Sequence, residues 1–339
     1  SKATGLSPYD SLISKYDIDY DSTKIDDVFS VIEKEIIPKY LEIKKISSPY
    51  VYKSNISDSK LLDCVKKKLE QLKFDFNRGR IDQSHHPFCG GATNDVRITT
   101  RFEDNILESL SALFHETGHG VYEQNRPIQY LYEPLGQSRS LSVHESQSLF
   151  FENHIFKSKV YFKTINNIFG NSKDLEKSFL DHYHTVRINP IRVSADEFSY
   201  PIHVYIRYKI EKEIFENQIK FDDIKNLWNK NYLDYLSINL TSDTEGILQD
   251  IHWYEGIFGY FPTYALGAMI ASQIKYNCPL FSIFLENPDA ENISNLIVWL
   301  NTNIHQKASL YSSDEMLQTI SGEVLNSKYY LDHLVDRFV

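Results

Sequence analysis

Ile106-Leu107-Glu108-Ser109-Leu110-Ser111-Ala112-Leu113-Phe114-His115-Glu116-Thr117-Gly118-His119-Gly120-Val121-Tyr122 has the spacing of one long amphipathic helix. Ile106, Leu110, Leu113, Phe114, Val121 and Tyr122 share a broad apolar face, as a turn of 3.6 residues requires. Asp104 stands where an N-cap is expected. Inside this helix lies His115-Glu116-Thr117-Gly118-His119. Residues four apart stack on the same face one turn apart, so the two imidazoles can bind one cation. Glu116, beside the first of them, can reach a water on that cation. This is the HExxH arrangement, two metal ligands and a general base from a single turn. Ordinary helical histidine pairs also match so short a pattern. Gly118 favours the site, because a helix-interior glycine costs about 1 kcal/mol relative to alanine. A close neighbour to the backbone is therefore expected there.

Zinc in a catalytic site takes three protein ligands and keeps a fourth position open. Outward from His119 comes a loop with Pro127, Pro134 and Gly136, then His144-Glu145-Ser146-Gln147-Ser148 at the head of the next helical pattern. A chain that loops out and returns on a second helix can bring Glu145 to the metal. His144 is the rival, but adjacent helical side chains point about 100° apart, so only one should face the ion. Glu145 is preferred because two His and one Glu form a known catalytic set. His144 then either supports the ligands or is simply buried.

Further out, helical periodicity covers residues 26–44, about 145–165, 203–217, 222–236, 263–276, 291–305 and 329–338. Lys66-Lys67-Lys68 lies in another helical pattern and is expected to be a solvated face. One segment differs. In residues 95–102, Val96, Ile98 and Thr100 alternate with polar residues, the period of a strand, and Gly90-Gly91 before it signals a turn. The expected fold is mainly α, with a small β-hairpin or sheet beside the HExxH helix. No composition break divides the chain, so residues 1–339 are read as a single domain.

Acidic residues outnumber basic ones by 46 to 36, for a net charge of -10. That disfavours nucleic acid, which needs a basic face, and an anionic membrane surface. The 23 Tyr and 20 Phe suit a thick aromatic core or a groove that grips peptide side chains. Cys64, Cys89 and Cys278 are few and widely spaced, which points to a reducing compartment rather than a disulfide framework. The Asn-x-Ser/Thr triplets at Asn55, Asn239 and Asn292 are read as chance in an Asn-rich chain. There is no signal peptide and no run of 18 apolar residues, so a cytoplasmic location is expected. Ser1-Lys2-Ala3 opens the chain without Met, which leaves room for a preceding segment.

Several further segments, in order along the chain, bring in a resemblance. They are His86-Pro87-Phe88, Asp95-Val96-Arg97-Ile98-Thr99, His144-Glu145-Ser146-Gln147, Ile191-Arg192-Val193-Ser194-Ala195-Asp196 and Gly246-Ile247-Leu248-Gln249-Asp250-Ile251-His252-Trp253. With the HExxH helix and residues 259–267, they resemble the HPF, DxRxT, HES(Q/R), IRxxAD and GxxQDxHW motifs of the carboxypeptidase Taq family of zinc metallocarboxypeptidases. The resemblance implies a helical, gluzincin-type fold with a deep groove. It also implies release of C-terminal residues from peptides with broad specificity, one zinc (or cobalt) ion per chain, and a homodimer. It makes His115, His119 and Glu145 the ligands and Glu116 the base. Such an enzyme must grip a free carboxylate, and a guanidinium does so bidentately. Arg192 is the first choice, weighed against a plain salt bridge to Asp196, and Arg97 is the second. His252, Tyr260, Tyr264 and His86 are further candidates to touch substrate, against ordinary packing roles.

Members of that family normally carry a long helical segment ahead of the part corresponding to residue 1. Its absence here leads us to expect an exposed apolar surface, and so a chain that dimerises or aggregates. Two rival readings remain: an endopeptidase like thimet oligopeptidase, or a non-catalytic, truncated peptide-binding paralogue. Retention of the whole ligand set and the base counts against the latter.

Overall fold

The computed structural model describes residues 1–339 except 1, 3, 55, 86, 102–104 and 218, and the side chain of residue 58. Three expectations, Asp104 as a cap, His86 as a substrate contact and Asn55 as an acceptor triplet, therefore lie outside the described residues. The chain is mainly helical with one small sheet, as expected. It forms two compact units, each assembled from separated segments. One comprises Ser1–Pro49, Asp181–Met269 and Asn326–Val339; the other comprises Tyr50–Leu180 and Ile270–Leu325. Two of the boundaries fall within the helices Lys173–Tyr183 and Pro262–Asn277, where composition does not change. No linear break could mark them.

In the second of these units, the strands β1 (Gly79–Gln83), β2 (Cys89–Ala92) and β3 (Asp95–Thr100) form a sheet in the order β1-β3-β2. β3, the strand legible from alternation, is central, parallel to β1 and antiparallel to β2. Gly90 and Gly91 are not the turn but belong to β2, and the turn itself is at Thr93-Asn94. Gly91 has φ +101°, and a Cβ there would lie 2.1 Å from the Asp95 carbonyl oxygen, so this pairing admits only glycine. Val96 and Ile98 are buried.

The helix Ile106–Asn125 packs on this sheet. Its observed cap is Asn105, whose side chain accepts from the Leu107 N–H. Ile106, Leu110, Leu113, Phe114, Val121 and Tyr122 are all buried, which accounts for the periodicity. A Cβ on Gly120 would meet Phe74 at 2.7 Å and Ile98 at 3.3 Å, so the sheet side approaches the helix closely there. The next helix, Leu141–Leu149, is capped by Ser140 and runs into a π-helical segment, Phe150–Phe156. Its widened turn ends with the Lys157 N–H donating to the Glu152 carbonyl, five residues back.

In the other unit, the expected 26–44 helix is Ser22–Val31, a π turn at Ile32–Ile36, and Ile37–Ile43. Tyr200–Phe215 and Phe221–Leu236 pack against each other. Arg207 and Glu211, one turn apart on the first of these, are both fully buried. The terminal helix Lys328–Phe338 is fastened by Glu197, which pairs with His333 at 2.8 Å and with Arg337. Tyr9, Tyr40, Tyr208, Tyr232 and Tyr330 are buried in this unit, and Tyr122 and Tyr161 in the other, so much of the aromatic content is core. All three cysteines are free. Among the described residues no helix is long and apolar enough to cross a membrane.

Candidate metal centre

His115 and His119 project from the Ile106–Asn125 helix and Glu145 from the Leu141–Leu149 helix. One ligand atom from each lies within 4.8 Å of the other two. Gly118 explains how the helices come so near. A Cβ there would sit 2.4 Å from the Gln147 carbonyl oxygen and 2.7 Å from Ser148 Cα, so the backbones touch and nothing larger than glycine fits. Glu145 Oε2 is 3.6 Å from His115 Nε2 and 3.4 Å from His119 Nε2. Tetrahedral ligands about 2.0–2.2 Å from a zinc ion stand about 3.4 Å apart. The three donors thus fit a divalent cation in both type and spacing.

Each imidazole is held from behind. His115 Nδ1 is 2.8 Å from Glu152 Oε2, and the other Glu152 oxygen accepts from Lys157 Nζ and from Ser111 Oγ, each at 2.8 Å. The π turn stacks Lys157 over Glu152 at a spacing of five. His119 Nδ1 is 2.6 Å from His144 Nδ1, and His144 Nε2 is 2.9 Å from Glu123 Oε1. Glu123 in turn pairs with Arg126 at 2.7 Å. The sequence reads His144 as the rival ligand or a support for the ligands, and it is found behind His119; Glu152 is not singled out there. Glu152 follows Glu145 by seven residues, two helical turns on one face, and that spacing is the signal that could have found it.

Charge in the centre is balanced by proximity. Burial disfavours a charged His115, but the Glu145 and Glu152 carboxylates outweigh it and raise its pKa to about 10. Burial and nearby His144 lower His119 to about 4. Desolvation pulls Glu145 and Glu152 upward, yet the imidazole of His115, and for Glu152 first the Lys157 ammonium, hold both below the usual carboxylate range. Glu116 is buried, and desolvation with the neighbouring Glu145 and Glu152 charges pushes it up to about 7, against the pull of His115. A carboxyl that titrates near neutrality can both take and return a proton.

Arg192, His252, Tyr260 and Tyr264 come together in the first unit. Arg192 is buried and pairs with Asp250, not with Asp196: its Nε and one terminal nitrogen donate to Asp250 Oδ1 at 2.9 and 2.8 Å. Asp196 instead accepts from the backbone N–H groups of Arg187, Phe198 and Ser199. The second Asp250 oxygen accepts from Arg207 Nε at 2.6 Å. One carboxylate thus serves two guanidiniums and leaves an excess positive charge among them. Tyr264 lies 5.0 Å from the Arg192 guanidinium, and its hydroxyl is 3.1 Å from His252 Nε2. Burial and the Arg192 charge lower His252 to about 4, so it is a neutral ring. Tyr260 packs edge-on against Tyr16 and Tyr264. Arg97 belongs to the other unit, exposed on β3, where its guanidinium forks onto Asp95.

A family model described as carboxypeptidase Taq (M32) metallopeptidase matches residues 1–338. Carboxypeptidase 1 of Bacillus subtilis is 35% identical over 347 aligned positions, which span 98% of this chain and 68% of that protein. Thermostable carboxypeptidase 1 of Pyrococcus furiosus is 31% identical over 98% of this chain and 69% of its own length. Among solved structures, Trypanosoma cruzi metallocarboxypeptidase 1 is similar with a TM-score of 0.88 and 33% identity, over 99% of this chain and 73% of that one.

Proposed function

The chain belongs to the carboxypeptidase Taq (M32) family of metallopeptidases, and from that premise we propose that it is a zinc-dependent metallocarboxypeptidase releasing C-terminal residues from peptides with broad specificity. The observation that carries this reading is the convergence of His115, His119 and Glu145 on one point, with Glu116 buried beside them. Those three side chains would hold the ion. When bound, the metal supplies an acidified water and a Lewis acid for the scissile carbonyl. Glu116 takes the proton and delivers it to the departing amine.

Arg192 is the preferred grip on the substrate carboxylate, since Asp250 is shared between two arginines and leaves positive charge unspent. Arg97 is the alternative. His252 has a buried Nδ1 with no partner among the described residues, and it is suited to donate to substrate. Tyr260 and Tyr264 stand beside it. The reading extends to one zinc ion per chain, replaceable by cobalt, in residues 1–339 as the catalytic domain of a cytoplasmic homodimer. Light scattering tests the dimer.

The decisive experiment digests a peptide and its C-terminally amidated twin, each with zinc and with a chelator, and follows the products by mass spectrometry. A ladder of single-residue losses from the free peptide, abolished by the chelator, is expected. The amidated twin should react at least about tenfold more slowly, because an unmade buried charged contact costs on the order of 2–5 kcal/mol. Internal cuts, or equal rates for the two peptides, would overturn the proposal in favour of an endopeptidase.

A further inference from the structure

The two imidazoles of the centre are supported differently: His115 rests on a carboxylate, whereas His119 rests on another imidazole. At 2.6 Å, one ring nitrogen of the His119–His144 pair must donate and the other accept. The far side of His144 decides which. Its Nε2 is 2.9 Å from Glu123, and the Arg126 guanidinium 2.7 Å from that carboxylate keeps it an acceptor. His144 Nε2 therefore carries a hydrogen. When His119 ligates through Nε2 its own hydrogen can stand only on Nδ1, and His144, whose ring already donates from Nε2 to Glu123, presents Nδ1 as the acceptor between the rings. That leaves His119 Nε2, the nitrogen facing Glu145, with its lone pair free. The opposite polarity would put a hydrogen on His119 Nε2 and close it to a metal. Tyr122 packs edge-on against the His144 ring, with ring centroids 5.2 Å apart, and limits its rotation.

We infer that His144 is a positioning residue for the metal centre: by accepting the His119 Nδ1–H while Glu123 and Arg126 hold it from behind, it fixes both the rotation and the tautomer in which His119 can ligate. The inference rests on the ligand assignment proposed above. Through this chain the loop that begins at Arg126 is joined to the metal centre, although no residue of that loop is a ligand.

The test measures zinc affinity by chelator competition, and the visible absorption of the cobalt-loaded protein, for three variants of the full chain. His144→Leu keeps the bulk and removes both ring nitrogens. Metal affinity should fall about 10–100-fold, the usual effect of losing a partner behind a ligand, and the cobalt bands should shift. His144→Asn restores an acceptor facing His119 and should recover most of the affinity. Glu123→Ala frees the rear of His144 and should give an intermediate loss, which keeps the test alive if His144→Leu does not fold. Affinity within twofold of the parent for His144→Leu, or for Glu123→Ala if that variant alone folds, would overturn the inference. So would an asparagine variant as weak as the leucine one. His115→Ala serves as the separate check. If it retains full metal stoichiometry, the ligand assignment itself has failed.

Discussion

Glu116 has a carboxyl that burial brings to about 7, next to two other carboxylates. Glu116→Gln keeps the shape and removes the proton acceptor. The variant should bind metal as the parent does and lose about 10²–10⁴-fold in turnover; metal analysis and peptide hydrolysis on the same sample check both halves. His115→Ala and His119→Ala should instead lose the metal, since two protein ligands remain in each, and unchanged stoichiometry in both would refute the assignment. The groups of this centre were legible because local spacing encodes them: two histidines four apart, and a glutamate opening the next helix. The partner of Arg192 was not legible. Spacing suggested Asp196, four residues on, but Arg192 sits in a short 3-10 turn rather than a helix, so i,i+4 proximity does not apply. Its partner, Asp250, lies 58 residues away. Contacts of that range come from the packing of whole segments and leave no local mark.

At the scale of elements, the long helices could be read from their apolar faces, and β3 from its alternation. β1 and β2 could not. Gly79-Arg80-Ile81-Asp82-Gln83 and Cys89-Gly90-Gly91-Ala92 are short, glycine-bearing and poorly alternating, and they are strands because β3 lies between them. The π turns were equally silent, since an extra residue per turn barely disturbs an apolar pattern. The contact between the two ligand-bearing helices is where a small change should act most. Gly118→Ala drives a methyl group into the Gln147 carbonyl and Ser148 Cα. Backbone must move to admit it, which should cost about 1–3 kcal/mol and spread the donors of the centre. Thermal unfolding of the metal-free protein should show the loss of stability, and a zinc titration the weaker binding. An unchanged melting temperature would mean that the helices are not in backbone contact.

At the scale of the whole molecule, Glu211 secures one unit from inside. It accepts from Trp253 Nε1, the Gly259 N–H and the Tyr9 hydroxyl at 2.7, 2.9 and 2.9 Å, and so draws together three distant stretches of chain. Burial nonetheless pushes its carboxyl up to about 7, against the pull of those donors and of Arg207, from 4.5 in the absence of the fold. Between those two values the folded protein keeps a proton that the unfolded chain has released. This group's contribution to stability therefore falls as pH rises through that window and is flat above it. Glu211→Gln does not titrate. Relative to it, the parent should lose on the order of 3 kcal/mol between pH 5 and pH 8, measurable as the difference between their denaturant midpoints; a constant difference would show that the carboxyl titrates normally. The interleaving of segments in the two units also has a temporal side. Residues 1–49 are synthesised well before residues 326–339, which belong to the same unit and whose helix is fastened by Glu197 through His333 and Arg337. A nascent chain must therefore carry that unit unfinished until residues 326–339 have been made, with apolar surfaces such as the faces of Phe29 and Tyr40 awaiting partners. This unit therefore closes late, and in arrested chains of increasing length its segments should gain protease resistance only once residues 326–339 have left the ribosome.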